Sequence, residues 1–358
     1  MTQQDKYQVL GIMSGTSLDG LDIAQCTFEH KNGKWKHSIE RAITYSYSQE
    51  WKDKLARAEN LSGFDLMLLH NEFGTFIGNQ VNTFLKGGKE AIDFIASHGH
   101  TIFHQPHRGL TLQIGNGACI SATTGISVIC DFRTMDVGLG GQGAPLVPIG
   151  DKLLFSDYDY CLNLGGFANI SYDNEPGIRI AHDICPVNIV INHLVRERGL
   201  SHDPDGTIAR NGVVDNALLQ ELNNLEFYKT KGPKSLGKEW VLQEVLPIIY
   251  RNDLQLEDKL RTFYEHIVCQ INNCFSHKSG EKILITGGGA HNIFLLELFK
   301  IGFKCEIFVP GDLLIDFKEA LIFALLGVLR FRSEVNCLSS VTVAKFDNIG
   351  GLIHWIKK

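Results

Sequence analysis

The sequence predicts an α/β protein made of two related domains, each built around its own β-sheet. The chain has 358 residues, a length that two domains commonly share. A strand that ends in a glycine turn and continues into a return strand occurs twice, at Gly15 and at Gly165. Apolar strands alternate with helical patterns in much of the remaining sequence. The repeated unit therefore indicates an internally duplicated fold whose two domains face each other.

Composition and charge argue against several classes of protein. Hydrophobic residues make up 44% of the chain and charged residues 21%, as in an ordinary globular protein. The 34 Lys and Arg residues against 40 Asp and Glu residues give a net charge of −6, which disfavours nucleic acid and anionic membranes as partners. The chain does not open with a basic segment followed by a long apolar run, and no apolar window reaches about 18 residues. We therefore expect a cytoplasmic protein without a membrane span.

The nine cysteines are scattered along the chain and include no C-x-x-C pair. A disulfide framework and a zinc ribbon are therefore not expected, and a reducing compartment fits. Most of the cysteines lie within apolar runs, as Cys130 and Cys161 do, where they are expected to be small core residues.

The first half of the chain opens with a hairpin rather than with a strand followed by a helix. Strands are predicted at Tyr7–Gly15, Leu21–Glu29, Lys36–Tyr47, Ala91–Ser97, Thr111–Ile114 and Ser127–Asp131. Helices are predicted at Gln49–Glu59, Asp65–Leu85 and Asn116–Thr123. Loops are expected in the histidine-rich stretch after Ser97 and in the glycine- and proline-rich stretch Val137–Pro148, near which we place a domain crossover.

The second half repeats the opening pattern and then becomes mostly helical. Strands are predicted at Asp159–Leu164, from Ile170, and at Ile178–Ala181, Lys282–Thr286 and Ile307–Val309. Helices are predicted from Pro186 to Gly199, at Asn211–Asn224 and Leu254–Phe275, from His291, and at Asp316–Phe331. The first of these follows the preference for proline at a helix start and glycine just past a helix end.

Two nucleotide-binding patterns do not fit their context. Gly138–Gly143 matches G-x-G-x-x-G, but Pro145 and Pro148 prevent the helix that a dinucleotide-binding loop requires. Gly232–Lys238 resembles a P-loop, but Glu239 follows it and no apolar strand precedes it. Four histidines have spacings that a metal could accept, but no carboxylates lie nearby, so a metal is the less favoured interpretation of His98, His100, His104 and His107.

Three glycine turns remain as candidate phosphate- and nucleotide-binding loops. Gly15–Gly20 joins two strands and would expose successive backbone N–H groups beside hydroxyls and a carboxylate. Gly165–Asn169 repeats this arrangement, and two such loops can hold one polyphosphate. Gly287–Gly289 lies between a strand and a helix, which is a usual place for a nucleoside. An ordinary hairpin turn is the alternative interpretation of the first loop.

Three such loops in this order resemble the architecture of actin, hexokinase and Hsp70, and longer segments are similar to the anhydro-N-acetylmuramic acid kinase family. The similarity runs nearly end to end and is carried by Gly11–Asp22, Ser97–Pro106, Thr111–Ile120, Asp131–Pro148, Leu162–Ser171, Gly232–Glu239 and Gly287–Asn292. It implies a duplicated actin-like (ribonuclease H-like) fold with a central cleft for nucleotide and sugar. The implied domains are residues 1–133 with about 340–358, and residues 134–339. A homodimer is also suggested by the resemblance.

The resemblance further implies an ATP-dependent sugar kinase of peptidoglycan recycling. In this reaction water adds to the anomeric carbon of 1,6-anhydro-N-acetylmuramic acid, the bridge opens, and the oxygen at carbon 6 receives the γ-phosphoryl group of ATP. The residue that matches the family's general base is Asp183. It is predicted to end a strand before a helix N-terminus, which would favour its ionised form. Helix capping is the alternative role for this carboxylate.

The glycine loops and the resemblance together assign the ligand-binding residues. ATP is expected at Gly15, Thr16, Ser17, Leu18, Asp19, Gly20, Leu21, Asp22, Gly165, Gly166, Asn169, Gly287, Gly288, Gly289 and Asn292. The sugar is expected at His98, Arg133, Pro186, Asn188 and Glu319. Asp19 or Asp22 could hold Mg²⁺ through water.

Other roles remain open for three parts of this site. Arg133 could form a structural ion pair with Asp131 or Asp136, and Glu319 could belong to a capping box that begins at Asp316. The family's Asp-Thr-Gly-Pro-Gly-Asn segment is replaced by residues 183–188, Asp-Ile-Cys-Pro-Val-Asn, which carry side chains in place of two glycines. The alternative functions are therefore a related sugar kinase with a changed substrate, or a non-catalytic protein that binds ATP or senses a sugar.

Overall fold

A computed structural model describes residues 5–86, 91–230, 234–251, 253–276 and 278–357. The chain divides into two compact units. Unit 1 contains the residues up to Leu154 together with those from Phe317 onward, and unit 2 contains Phe155–Asp316.

The sheet of unit 1 has seven strands. They are β1 (Lys6–Ser14), β2 (Gly20–Lys31), β3 (Lys34–Ser46), β4 (Phe94–Gln105), β5 (Leu110–Ile114), β6 (Val128–Cys130) and β12 (Leu352–His354). The order is β12-β6-β4-β1-β2-β3, and β5 pairs with β4. β1, β4 and β6 are parallel, whereas β1–β2 and β2–β3 are antiparallel hairpin pairs.

The sheet of unit 2 repeats this arrangement. Its strands are β7 (Tyr160–Leu164), β8 (Phe167–Asp173), β9 (Arg179–Pro186), β10 (Lys282–Thr286) and β11 (Glu306–Phe308), in the order β11-β10-β7-β8-β9. Each unit thus has three antiparallel strands in a row, with two further strands added in parallel beside the first. This is the ribonuclease H-like strand order, and its repetition confirms the predicted duplicated α/β fold.

Helices follow the hairpin strands in both units. In chain order they are α1 (Gln49–Arg57), α2 (Gly63–Leu85), α3 (Gly117–Thr124), α4 (Thr134–Gly138), α5 (Val147–Leu154), α6 (Asn188–Val195), α7 (Thr207–Arg210), α8 (Asn216–Asn223), α9 (Glu226–Lys229), α10 (Lys238–Trp240), α11 (Leu246–Arg251), α12 (Leu256–Asn272), α13 (Ile293–Gly302), α14 (Asp312–Phe331) and α15 (Ser339–Thr342). The π-helical turn Val241–Val245 leads into α11. No described helix has the length and apolar character that a bilayer crossing requires.

Each unit has its own apolar core. In unit 1, Leu10, Ile12 and Ile95 of the sheet are buried in one cluster with Phe73 and Ile77 of α2. In unit 2, a second cluster joins strand residues such as Leu162 and Ile283 to helix residues such as Phe263. Burial of these alternating strand side chains is what fixes the register of the sheets.

The unit boundaries differ from the domain boundaries predicted at residues 133 and 340. The chain passes from unit 1 to unit 2 after Leu154 and returns at Phe317, where α14 has a non-helical conformation (φ −115°, ψ 15°). The segment 134–154 stays in unit 1 because Asp136 is bonded to the C-terminal residues Thr342 and Asn348, and because α5 packs on β3.

Several local predictions also differ from the structure. The histidine-rich stretch is not a loop but continues β4 to Gln105, and the imidazoles of His98 and His100 are buried and neutral. Pro186 does not begin a helix but ends β9, and α6 begins at Asn188. The predicted helix Asn211–Asn224 begins later than expected, since α8 spans Asn216–Asn223, and the separate short helix α7 ends at Arg210. The strand prediction Lys282–Thr286 is confirmed.

Glycine at position 11 allows α14 to approach the central strand β1 closely. A Cβ built on Gly11 would lie 1.9 Å from the carbonyl oxygen of Ala320. This oxygen belongs to the backbone of α14, so it cannot move away unless the helix itself shifts. We expect Gly11→Ala to lower the free energy of unfolding by about 3 kcal/mol, because α14 must move away from the strand. Urea denaturation measures this change.

Gly63→Ala is the matched control for this prediction. No heavy atom lies within 4 Å of a Cβ built on Gly63, at the start of α2, so this variant should be neutral or slightly stabilising. Equal unfolding midpoints for the two variants would contradict the proposed close contact.

Candidate active site

The first glycine loop, residues 15–19, joins β1 to β2. Buried hydrogen bonds of the preceding residue, Ser14, hold its start in place. Ser14 ends β1, and its hydroxyl lies 2.6 Å from the Tyr47 hydroxyl and 2.8 Å from Nδ1 of His100. Leu18 adopts a left-handed conformation (φ 60°), and its N–H donates to the Gly15 carbonyl at 3.3 Å. The turn is thereby fixed, while Thr16 and Ser17 remain exposed.

A depression of about 210 Å³ opens beside this loop within unit 1. Its lining combines loop, helix and strand residues: Thr16, Leu18, Leu55, Ala56, Glu59, His100, Thr101 and Ile102. Burial lowers the pKa of His100 to about 4, so this side chain is neutral at physiological pH. The wall thus offers hydroxyl, imidazole and carboxylate groups rather than a positive charge.

Two carboxylates lie on or next to the first loop. Asp19 is exposed at its end, and Asp22 on β2 accepts a 2.6 Å hydrogen bond from the Thr44 hydroxyl on β3. Among the residues that the structure describes, no three or more His, Cys, Asp or Glu side chains form a group that could hold a metal. One or two carboxylates beside a phosphate are nevertheless the donors that Mg²⁺ commonly uses, so the chemistry of Asp19 and Asp22 fits that ion.

The second glycine loop occupies the equivalent position between β7 and β8 but contains only Gly165 and Gly166. Its carbonyl groups accept hydrogen bonds from the first residues of α6. Val187 N–H donates to the Gly166 oxygen at 2.8 Å, and Asn188 N–H donates to the Gly165 oxygen at 3.3 Å. The Asn188 side chain also donates to the Leu164 carbonyl at 3.2 Å. These hydrogen bonds therefore attach the start of α6 to the second glycine loop.

The third loop follows β10 and packs against β7. Gly287 has φ 82°, and Cβ atoms built on Gly287 and Gly289 would lie 2.6 Å from Asn163 Oδ1 and 2.7 Å from Leu164 Cβ. Asn292 caps α13 by accepting from the Leu295 N–H at 3.0 Å. The amide nitrogen of Asn292 donates to the Tyr264 hydroxyl. Both the oxygen and the nitrogen of this side chain therefore have partners within the protein.

Asp183 lies on β9 opposite Asn169 of β8. Its Oδ2 accepts from the Leu236 N–H at 2.8 Å and from the Ser235 hydroxyl at 3.2 Å. Its N–H donates to the Lys234 carbonyl at 3.0 Å. The P-loop-like segment singled out in the sequence therefore contacts Asp183 through residues 234–236, while its residues 231–233 lie outside the described residues.

The structure corrects the expected electrostatics of Asp183. Burial raises the pKa of this carboxyl, and the hydrogen bonds from Leu236 and Ser235 only partly oppose the shift. The helix N-terminus does not favour the ionised form as predicted, because its N–H groups bond to the second glycine loop instead. Helix capping is excluded as well, since Val187 occupies the N-cap position of α6 without a side-chain cap.

The departures from the family pattern next to Asp183 are core residues. Ile184, Cys185 and Val187 are buried, the last two completely, within the apolar cluster of unit 2. Burial also raises the pKa of the Cys185 thiol well above its usual value. The extra side chains therefore fill the core, where they do not meet a ligand at the surface.

In unit 1 the structure brings His98 and Arg133 together. Nε of Arg133 donates to Nε2 of His98 at 3.0 Å, and Nδ1 of His98 lies 2.9 Å from the Gly99 carbonyl, which makes His98 a neutral Nδ1–H tautomer. Arg133 also donates to the Gly143 carbonyl at 2.7 Å. Burial lowers the pKa of Arg133 to about 10, so the guanidinium stays charged.

Asp136 holds the loop that contacts Arg133. This carboxylate is completely buried and accepts from the Gly143 N–H, the Thr342 hydroxyl, the Asn348 amide and the Cys337 thiol. Within the described residues Arg133 forms no ion pair with Asp131 or Asp136, so the alternative role considered for it does not apply. Asp136 instead acts on Arg133 through Gly143.

Glu319 follows the non-helical residue Phe317 in α14. Its side chain reaches solvent; the surrounding protein nevertheless raises the pKa of this carboxyl, and the nearby Arg133 and Lys318 act in the opposite direction. Lys318 is buried and pairs with Asp151 at 2.8 Å. The predicted capping box is not formed, because α14 begins at Asp312 and the Asp316 carboxylate accepts from His291 at 2.8 Å.

Sequence reasoning missed the residues that support this site. Asp136 and residues 234–236 both lay within glycine-containing segments that carried the family resemblance, but their bonding partners are far away in the sequence. Gly143 N–H is seven residues from Asp136, whereas Asn348 is 212 residues away.

Comparison with known proteins gives a consistent result. Residues 7–355 match the sequence model of the family described as anhydro-N-acetylmuramic acid kinase. A protein of that name from Pseudoalteromonas translucida (strain TAC 125) is 33% identical, with 89% of this chain and 88% of the relative covered. The corresponding protein of Bacillus cereus (strain Q1) is 31% identical and that of Zymomonas mobilis subsp. mobilis (strain ATCC 31821 / ZM4 / CP4) is 33% identical; each alignment covers 97% of this chain and 99% of the relative.

The network around Asp136 generates a stability prediction. Asp136→Asn replaces one acceptor oxygen by an NH₂ group, so at least one buried donor loses its partner. We expect the free energy of unfolding to fall by about 3 kcal/mol in urea denaturation. Asp53→Asn, which changes an exposed carboxylate in the same unit, should leave it unchanged. If both variants unfold at the same urea concentration, Asp136 does not hold the loop.

Proposed function

The chain belongs to the anhydro-N-acetylmuramic acid kinase family, and we propose that it opens and phosphorylates 1,6-anhydro-N-acetylmuramic acid with ATP. The observation that carries this proposal is the asymmetric setting of Asp183. Two donors hold its Oδ2, whereas Oδ1 has no hydrogen-bond partner in the described parts of the protein. A carboxylate held in this way can accept a proton from water through its second oxygen.

The proposed reaction begins at the anomeric carbon of the sugar. Oδ1 of Asp183 takes a proton from water while the water oxygen bonds to carbon 1. The bond between carbon 1 and the bridging oxygen breaks, and that oxygen remains on carbon 6. It then bonds to the γ-phosphorus of ATP and ADP leaves, so that one sugar, one water and one ATP give the sugar 6-phosphate, ADP and a proton.

The placement of the candidate loops supports a phosphate-binding role. β1, β4 and β6 run parallel in unit 1, as do β7, β9 and β10 in unit 2, so the turns after these strands lie at one edge of their own sheet. Ligands of α/β proteins bind at this carboxyl edge. We assign the phosphates of ATP to Gly15–Asp22 and to Gly165, Gly166 and Asn169, and the nucleoside to Gly287–Gly289 with Asn292.

Asp19 and Asp22 are the residues that would hold Mg²⁺. When bound, the ion would neutralise negative charge on the phosphates of ATP. The hydrogen bond from Thr44 orients Asp22 for this role.

We assign the sugar-binding roles residue by residue. Within the described residues Arg133 uses Nε and one terminal nitrogen, so we assign its other terminal nitrogen to the lactyl carboxylate of the muramic acid. His98 positions that guanidinium, and Asn188, Pro186 and the accessible Glu319 are the further proposed sugar-side residues. The substrates are thus two small molecules, and we propose a cytoplasmic role in peptidoglycan recycling as a homodimer, without nucleic acid or membrane partners.

The base assignment predicts a loss of turnover in Asp183→Asn. An amide cannot take the proton from water, so kcat should fall by about 10³-fold while the KM for ATP stays unchanged. Because the pKa of Asp183 is raised, the rate of the wild-type protein should decrease as pH falls through that raised value. ADP release measured with 1,6-anhydro-N-acetylmuramic acid across a pH series tests both expectations.

Asp157→Asn, an exposed carboxylate in the same unit, is the control for this substitution. Equal rates in Asp183→Asn and the wild type would show that another residue is the base. If the wild type binds ATP but does not turn over this sugar, the proposal yields to one of the alternatives. Turnover of another anhydro or amino sugar would then indicate a changed substrate, and no turnover with any sugar a non-catalytic role.

The second glycine loop allows a test of phosphate binding that does not disturb the fold. A Cβ built on Gly166 meets nothing closer than Ile189 at 3.8 Å, and its φ is not positive. Gly166→Ala should therefore keep its thermal midpoint but raise the KM for ATP about tenfold, since the methyl group would stand where the phosphate approaches the backbone. Gly138→Ala, another exposed glycine with open space, should change neither quantity. An unchanged KM in Gly166→Ala would remove this loop from the phosphate site.

A further inference from the structure

We propose that Ser235 is a positioning residue for Asp183, which together with the Leu236 N–H holds Oδ2 of the carboxylate and leaves Oδ1 to accept the proton. The inference rests on the proposed role of Asp183 as the base. It gives a function to the P-loop-like segment, whose pattern does not fit a phosphate-binding loop.

Three successive residues contact Asp183 from one side. The Lys234 carbonyl accepts from the Asp183 N–H, and the Ser235 hydroxyl and Leu236 N–H both donate to Oδ2 at 3.2 and 2.8 Å. Backbone and side chain of Asp183 are thus held by the same short segment. A carboxylate bound at both places cannot rotate freely about its side-chain bonds, which is what the orientation of a general base requires.

The segment itself is anchored by the side chain of Lys234. Its ammonium group donates to the Phe227 carbonyl at 2.9 Å and to the Thr230 carbonyl at 3.2 Å, and it lies 4.2 Å from the centre of the Phe227 ring. The lysine charge is therefore directed at α9 and its following turn rather than at the Asp183 carboxylate. This arrangement fixes the position of Ser235 without forming an ion pair that would hold Asp183 in its charged form.

The other groups around Asp183 add little charge. On its own strand, the adjacent imidazole of His182 lowers the pKa of Asp183 when it is protonated. Burial lowers the pKa of His182 itself, so that this residue is neutral near physiological pH. Cys185 on the same strand is buried with a raised thiol pKa. In the parts of the chain that the structure describes, β8 places the uncharged Asn169 opposite Asp183, and the segment 234–236 contributes Lys234. Loss of a donor to Oδ2 should therefore appear directly in the titration of Asp183.

The decisive experiment compares pH profiles of kcat/KM for Ser235→Ala and Ser235→Thr in the full-length protein, with ATP and 1,6-anhydro-N-acetylmuramic acid. The hydroxyl stabilises the ionised carboxylate, so removing it raises the pKa of Asp183. The rising limb of the profile in Ser235→Ala should move to higher pH by about one unit, and the plateau should fall by about tenfold. Threonine keeps the hydroxyl and should restore both.

Ser201→Ala, an exposed serine of the same unit, is the matched control and should leave the profile unchanged. Because Ser235 is exposed, its substitution should not alter the thermal midpoint. A lower plateau with an unmoved rising limb, or failure of threonine to restore the limb, would overturn the proposal.

A second readout separates this inference from the proposed function. The carboxyl carbon of Asp183 is followed by NMR in protein labelled with ¹³C at aspartate, and its signal is identified by its loss in Asp183→Asn. An upward shift of its titration midpoint in Ser235→Ala supports the role of Ser235 even if no turnover of the sugar is observed. An unchanged midpoint overturns it, whatever the activity of the wild type.

Discussion

The parallel pairing of the first strand of each unit with the strands added beside it is the constraint on which the rest of the structure depends. Parallel strands end at the same edge of a sheet, so residues that are far apart in the sequence meet there. In unit 1 this edge collects Ser14, His100 and Arg133, and in unit 2 it collects Gly165, Asp183 and Gly287. Tight packing at Gly11 and the apolar clusters on each sheet maintain this pairing.

The two units use the same edge in different ways. At the equivalent position on the second strand, unit 1 has Asp22 and unit 2 has Asn169. On the third strand the order is reversed, since Thr44 lies opposite Asp22 and Asp183 lies opposite Asn169. Each unit therefore has one partly buried carboxylate with one neutral partner. The exchange places this acid on the second strand in unit 1 and on the third strand in unit 2, where burial raises its pKa.

The sequence alone predicted the duplication, the three loops and the family, because these depend on local patterns of glycine and alternating apolar residues. It did not predict that the histidine-rich stretch is a strand, because histidine is counted as polar although His98 and His100 are buried with hydrogen-bond partners. It also misjudged the ionisation of Asp183, because the burial of this residue depends on residues 234–236, about fifty positions later. Contacts of this kind leave no periodic signal in the chain.

The attachment of α6 to the second glycine loop limits how this part of the protein can change during evolution. The carbonyls of Gly165 and Gly166 serve as acceptors for Val187, Asn188 and Ile189, so an inserted residue would detach the helix and displace the strand that carries Asp183. The loop at Gly15 has no such attachment among the described residues, and its turn is closed by its own backbone. Insertions and deletions within this family are therefore expected in the first loop, whereas the second must keep its two residues.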